Sequence, residues 1–479
     1  MIILARAPFL AVLTGLTVML ALYERVSLWA MPILALLVTL GVVLCTFSEE
    51  LKWQWHIASA VAICVFAAAL WIVFALLRSY APVPAYINTT GIVVEGRPWG
   101  RAYVAAVRTP LGGFLLRVPS EALVEGDTIR IEGTTAPFST GSPTSEFNED
   151  RYWRARGVTA RLTSFSFEHI NETRPFLNFF NIHRWRHTLY LSIIMNMPRL
   201  TGAYLNAVWT GKRDAMLDRA HRVWGTGHIL AVSGFHVGVA IAAASLLIKR
   251  GKWRFPLLTA VLWFYILLTG APPSAVRAGL MIQAGLLGEL AGRPGCSINS
   301  VSLAAVLLLL HSPFWFWDIG WRLSVLAALA IAVTFERWHS FGWRTWLFMN
   351  SMIWLAIFPQ VSWTFGGIPL IGFLLNLVAP QFFGVAFSTA SVAAGLFLLR
   401  VPFSSFLVMA SDGAFTLWGI LADAAAYPVP WVLGWSPLAS YVCAALFIMF
   451  TCRALFVPWR NVAVLSPLMA LFAYILFVF

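Results

Sequence analysis

Residues 225–240 read GTGHILAVSGFHVGVA. The stretch has the apolar character of a helix entering a bilayer, yet it holds His228, Ser233, His236 and glycines at 225, 227, 234 and 238. An imidazole is costly in hydrocarbon, and each glycine weakens a helix interior by about 1 kcal/mol relative to alanine. A lipid-facing span gains nothing from either. Two readings follow. One is a bent or unwound element lining a wet cavity, and the other is a tight helix contact with the imidazoles hydrogen-bonded at the interface. Ser233 and His236 share a face if the helix runs through them, and Gly234 is the expected point of a break.

The rest of the 479 residues set the context. Sixty per cent are apolar and 11% charged, too little charge for the surface of a soluble domain of this length. Apolar runs recur from 7–22 to 461–479, several near the roughly 20 residues needed to cross hydrocarbon. The reading is a polytopic α-helical membrane protein of about 11–13 transmembrane helices. The run at 7–22 is read as the first span, because no small-residue cleavage pattern follows it. Residues 367–399 hold Pro369 and Pro380 and could be re-entrant in one half. Cys45, Cys64, Cys296, Cys443 and Cys452 form no CxxC, so neither a disulfide framework nor a metal site is expected.

Between 78 and 175 the apolar runs stop. GIVVEG, AYVAAVR, GGFLLRV and DTIRIEG alternate like strands between turn-forming segments, which suits a small OB-like β-barrel or a generic β-sandwich insert. The linker APFSTGSPTS follows. The division is 1–77 N-terminal transmembrane helices, 78–175 soluble domain and 176–479 transmembrane channel domain. The insert carries 11 Arg, no Lys and 10 acidic residues, so nearly all of the chain's +13 charge lies elsewhere. The clusters KRGKWR, ERWHSFGWR and CRALFVPWR read as cytoplasmic, which puts the insert on the extracytoplasmic side of a cytoplasmic membrane. Its basic patch is Arg151, Arg154, Arg156 and Arg161 beside Tyr152 and Trp153, a candidate DNA-binding surface or a solvated amphipathic segment.

Two further constellations lie within the apolar part. In TGAPPSAVRAGL, 269–280, the proline pair ends one span, Ser274 is placed to cap the next, and Arg277 either snorkels to the interface or lines a wet path. In FWFWDIGWRLSVLAALA, 314–330, Asp318 and Arg322 are spaced i, i+4, as a neutralised pair or as pathway lining. Asn376 is a further polar lining candidate.

HILAVSGFHVG is similar to the HLLAISGLHVG signature of the ComEC family of competence proteins. LNAVWTGKRDAMLDRAHRVWGTG, YILLTGAPPSAVRAGLM, GWRLSVLAALAI and GIPLIGFLLNLVAPQF resemble further segments of that family in the same order. SEFNEDRYWRARGV resembles the segment that closes its extracytoplasmic OB-like domain. The chain departs where the family's GDRS is GKRDA, with Lys212 in the place of the acid, and where the usual Gln is Arg322. It also shows no HxHxDH motif, so it is expected to be a short form without the carboxy-terminal metallo-β-lactamase-like domain, or else a truncated piece of a longer chain.

The resemblance implies a DNA channel of natural transformation, carrying single-stranded DNA across the membrane. It implies an extracytoplasmic DNA receptor, a cytoplasmic helicase or single-strand-binding proteins, and a separate nuclease as partners beside the lipid bilayer. No cofactor, metal or catalytic residue is expected. A small-solute transporter with discontinuous helices is the rival reading. An intramembrane hydrolase built on Ser233 is another, though AVSG lacks the first glycine of GxSG.

Overall fold

The computed structural model describes residues 7–478 apart from 24–25, 29, 45–53, 100–101, 119–122, 139–147, 171–180, 249–250, 293–294, 338–341, 429–430 and 455–457. Cys45, most of the 136–145 linker and parts of the three basic clusters lie outside the described residues.

Three helices open the chain: α1 (Pro8–Ala21), α2 (Met31–Leu44) and α3 (Gln54–Ser79). They share an apolar core with residues 305–325, where the Trp71 indole also donates to the Leu310 carbonyl at 2.8 Å. Five strands follow: β1 (Tyr86–Trp99), β2 (Ala102–Thr109), β3 (Gly112–Val118), β4 (Thr128–Ala136) and β5 (Val158–His169). They close in the order β1-β2-β3-β5-β4, all pairs antiparallel except β3 with β5. This is the closed five-stranded form of an OB-like barrel. Period-two alternation turns Ile129 and Ile131 inward and Arg130 and Glu132 outward. The interior is filled by Val93, Ala105, Val107, Phe114, Leu116 and Ile129, each without solvent access.

β5 is not among the strands read from the sequence, because its outward positions, Arg161, Thr163, Ser164, Ser166 and Glu168, make it largely polar. Before it stands the short helix α4 (Glu149–Arg154), capped by the Asn148 carboxamide oxygen, which accepts from the Arg151 amide at 3.0 Å.

The remaining helices are α5 (Ile182–Asn196), α6 (Arg199–Trp209), α7 (Ala215–Val223), α8 (Gly234–Leu247), α9 (Arg254–Leu268), α10 (Pro273–Leu290), α11 (Ser297–His311), α12 (Ile319–Arg337), α13 (Trp343–Phe365), α14 (Ile371–Leu398), α15 (Ser404–Ala426), α16 (Pro437–Ala454) and α17 (Trp459–Val478). Among the described residues five helices are long and apolar enough to cross a membrane, in α3, α12, α14, α15 and α16. Shorter apolar helices lie in α1, α2, α8, α9 and α11. The protein is therefore a polytopic helical membrane protein carrying a small β-barrel.

The re-entrant half considered for 367–399 is not formed. α14 runs unbroken for 28 residues through Pro380, whose neighbours Ala379 and Phe383 are buried against other helices. The irregular backbone before it is satisfied differently. Gly367–Pro369 (β6) pairs antiparallel with Val432–Gly434 (β7), and the Leu370 amide donates to the Trp431 carbonyl at 3.0 Å.

Candidate functional site

Residues 224–234 do not form a helix interior. α7 ends at Val223, and Gly225 turns the chain at φ +67°, where a Cβ would stand 2.9 Å from the Gly372 Cα. Only glycine suits both that conformation and that approach. A single 3-10 turn spans Gly227–Leu230, Ala231 and Ser233 are extended, and α8 starts at Gly234. Ser233 is thus the cap of α8 rather than a residue on a through-running helical face. Its amide donates to His236 Nδ1 at 3.2 Å, and its hydroxyl lies 3.2 Å from the same nitrogen. Since Nδ1 accepts that amide, the ring carries its proton on Nε2.

Two supports hold this unwound segment. The Ser274 hydroxyl donates to the Val232 carbonyl at 2.6 Å. It does not cap α10 as the sequence suggested, because the helix opens on Pro272 and Pro273, and Ser274 is already inside its first turn. From below, the Tyr204 hydroxyl lies 2.8 Å from His221 Nε2, and His221 Nδ1 lies 2.8 Å from the Thr226 hydroxyl. All three residues are at most 1% exposed, and Tyr204 stacks on Phe415. A buried network with every member paired fixes one geometry.

The segment borders a cavity of about 4030 Å³. Its wall includes His228, Ser233, Gly234, His236, Ser274, Arg277, Asp318 and Asn376. His228 is exposed to this space. Arg277 does not snorkel; it is 7% exposed inside the wall. The Asn376 carboxamide donates to the Gly225 carbonyl at 3.2 Å. Arg322 stands off the wall, donating to the Phe316 carbonyl at 2.6 Å and to Gln360 at 3.3 Å. Asp318 caps α12 by accepting from the Trp321 amide at 3.1 Å, and pairs with Arg156 at 3.4 Å. Among the described lining residues nine are Arg or Lys and six Asp or Glu, so the wall is net cationic.

The cavity continues to the seam between barrel and helices. There Glu125, 2% exposed at the side chain, faces Lys212 at 3.3 Å and Arg186 at 3.9 Å. The Arg186 guanidinium also donates to the Thr210 carbonyl at 2.6 Å. Beside it, burial first and the Arg186 charge second push the His183 pKa below its usual 6.5. Lys212, the residue at which the sequence departs from its resemblance, therefore holds a carboxylate of the barrel.

The patch proposed for DNA contact sits at this same seam. Trp153 is 1% exposed, turned into a cluster with Phe138 and Val158, so its ring offers no face to a base. Arg154 pairs with Asp150 at 2.7 Å and donates to the Ser79 carbonyl at the end of α3. Arg151 lies over Trp317, and Arg156 over Tyr152 and toward Asp318. These residues dock the barrel on the helices, whereas Arg161 is exposed on β5. Glu125, Arg186 and the Tyr204–His221–Thr226 network were not singled out in the sequence. Among the described residues no cluster could hold a metal ion, and Cys64, Cys296, Cys443 and Cys452 are free thiols.

Residues 210–461 match the family model described as Competence protein. The chain is 28% identical over 232 residues to ComE operon protein 3 of Bacillus subtilis (strain 168), covering 47% of this chain and 27% of that protein. It is 28% identical over 177 residues to the uncharacterized protein YcaI of Escherichia coli (strain K12), covering 32% of this chain and 23% of that protein. An uncharacterized protein of Aquifex aeolicus (strain VF5) is 25% identical over 172 residues, covering 36% of this chain and 42% of that protein. The matched region thus spans less than half the length of each of these relatives. No solved structure matches the chain.

Proposed function

The chain belongs to the competence-protein family, and from that premise we propose that it conducts single-stranded DNA inward across the cytoplasmic membrane during natural transformation. The observation that carries the reading is the cavity of about 4030 Å³ reaching from the barrel seam to the unwound segment at 225–233. A polyanion crossing a low-dielectric slab needs a cationic, wet and uneven wall, and aromatic faces accept any base without reading sequence. Basic side chains outnumber acidic ones on this wall, and Tyr103, Tyr190, Phe235, Trp263, Phe383 and Tyr427 are on it.

In this reading residues 1–77 and 176–479 form the membrane part, and 78–175 lies on the extracytoplasmic side, as the basic clusters suggest. His228, Ser233, Gly234, His236, Ser274, Arg277 and Asn376 are conduit lining, and the protein acts as a channel rather than an enzyme. A DNA receptor outside, a nuclease that frees one strand, and a helicase or single-strand-binding protein inside are the partners such transport requires.

The test is entry of labelled DNA into the cytosol of cells with and without the gene, and with Gly234→Leu. A leucine there meets Ala278 and the Arg277 guanidinium, within 3.3 and 3.6 Å of the first added carbon. Entry should cease in the deletion and the variant, while DNA capture outside the cell persists. Undiminished entry in the deletion refutes the function. The unwound segment also suits a small-solute carrier, which would leave DNA entry untouched.

A further inference from the structure

α8 begins at the cavity wall with Gly234. The first amides of a helix have no acceptor within it, and its aligned dipoles place about half a positive charge at that end. His236 Nδ1 takes the Ser233 amide at 3.2 Å. The amides of Gly234 and Phe235, the next two positions, have no intrahelical acceptor.

Beside this end lies Arg277 of α10. Its Nη2 is 3.6 Å from where a Cβ on Gly234 would stand. Arg277 is 7% exposed and lines the cavity, and its Nε has no hydrogen-bond acceptor among the described residues. Its Nη1 faces the Met281 thioether at 3.9 Å, a weak acceptor. From residue 225 onward Arg277 is the one Arg or Lys among the described lining residues. A buried guanidinium set against the positive end of a helix is a repulsive arrangement. An anion placed between the two makes both contacts attractive.

We propose that the amide end of α8 and the Arg277 guanidinium form a phosphodiester-binding station in the cavity wall. The guanidinium fork matches two non-bridging phosphate oxygens, and the Ser233 hydroxyl is close enough to the helix end to add a donor. Phe235, 44% exposed in the first turn of α8, supplies a ring beside the station on which a neighbouring base can stack. Gly234 keeps a side chain out of the space between amides and guanidinium. One station of this kind grips a single phosphate, so a strand held there can still advance. This assignment rests on the reading of the cavity as a nucleic-acid conduit.

The test uses the full chain purified in dodecyl maltoside, so that no lipid phosphate is supplied. Inorganic phosphate is titrated against chloride at constant ionic strength while thermal unfolding is followed. Phosphate should raise the unfolding temperature of the wild type and of Arg277→Lys, and leave Arg277→Gln unmoved. An unmoved wild type, or an equal rise in Arg277→Gln, overturns the station. Binding of a fluorescent oligo(dT) is then measured across salt concentrations. Each lost phosphate contact lowers the slope of log K against log salt by about 0.7, so Arg277→Gln should lose that much and Arg277→Lys should not. Wild type and Arg277→Gln should also bind a neutral methylphosphonate strand alike. Oligo(dT) binding with an unchanged slope in Arg277→Gln overturns the station and leaves the conduit reading in place. A phosphate response without any oligo(dT) binding overturns the conduit and with it the phosphodiester assignment, leaving a site for small anions at Arg277.

Discussion

Replacing Glu125 by glutamine tests how the barrel is held to the helices. The side chain keeps its shape but loses the charge that stands between Lys212 and Arg186. Removing one partner of a buried ion pair costs about 3–5 kcal/mol, because the other charge is left uncompensated. Here the two cations retain 18% and 12% side-chain exposure and border the cavity, so water screens part of the loss. A cost of about 2–4 kcal/mol is the resulting expectation. At roughly 2 °C per kcal/mol the apparent melting temperature falls by about 4–8 °C, read in detergent by the loss of the monodisperse peak after heating. The damage should concentrate at the seam, so the barrel of Glu125→Gln becomes sensitive to trypsin before the helices do. Adding Lys212→Gln removes the ammonium that faced the lost charge and should recover about half of the loss. A single variant that melts with the wild type, or a double variant no more stable than the single, refutes the reasoning.

Three further outcomes follow from the geometry. In a background without native cysteines, Ser233→Cys should react with a small hydrophilic thiol reagent, while a cysteine at the buried Val237 stays unreacted; equal protection of both shows that 233 meets no water. Tyr204→Phe leaves His221 Nε2 without its partner in a buried site, which costs about 1–3 kcal/mol, and the detergent melting assay should register a drop of roughly 2–6 °C. His183 has a lowered pKa in the folded chain, so the unfolded chain takes up the proton first as pH falls below 6.5. Stability should therefore decline from that point down through the folded value, and His183→Gln should flatten the decline; a variant with the wild-type pH profile contradicts the assignment.

What the sequence disclosed follows the range of the interactions concerned. The membrane class and four of the five strands are local patterns of hydropathy, and they are legible. The break before α8 is also local, since Gly225, Gly227 and Gly234 crowd a segment that a span would keep helical. The sequence places Ser274 to cap α10, a role it does not fill: its hydroxyl reaches Val232, 42 positions away, and no spacing rule points there. Arg156 meets Asp318 across 162 positions, which converts an apparent surface patch into a docking contact. Lys212 stood out as a departure, yet its partner Glu125 lies in a turn of the barrel that local pattern treats as solvent-facing. For Ser274, Arg156 and Lys212 the partner lies on another element, and only the fold identifies it.

A barrel whose axis is occupied by Val93, Ala105, Val107, Phe114, Leu116 and Ile129, all at 0% exposure, has no bore. Arg97, Arg108 and Glu125 belong to this barrel and yet line the cavity, which therefore reaches around its flank. Along that flank the barrel meets the helices at two ion pairs, Glu125 with Lys212 and Arg156 with Asp318. Under the proposed conduit, a strand arriving from the barrel side passes along that flank, beside both pairs.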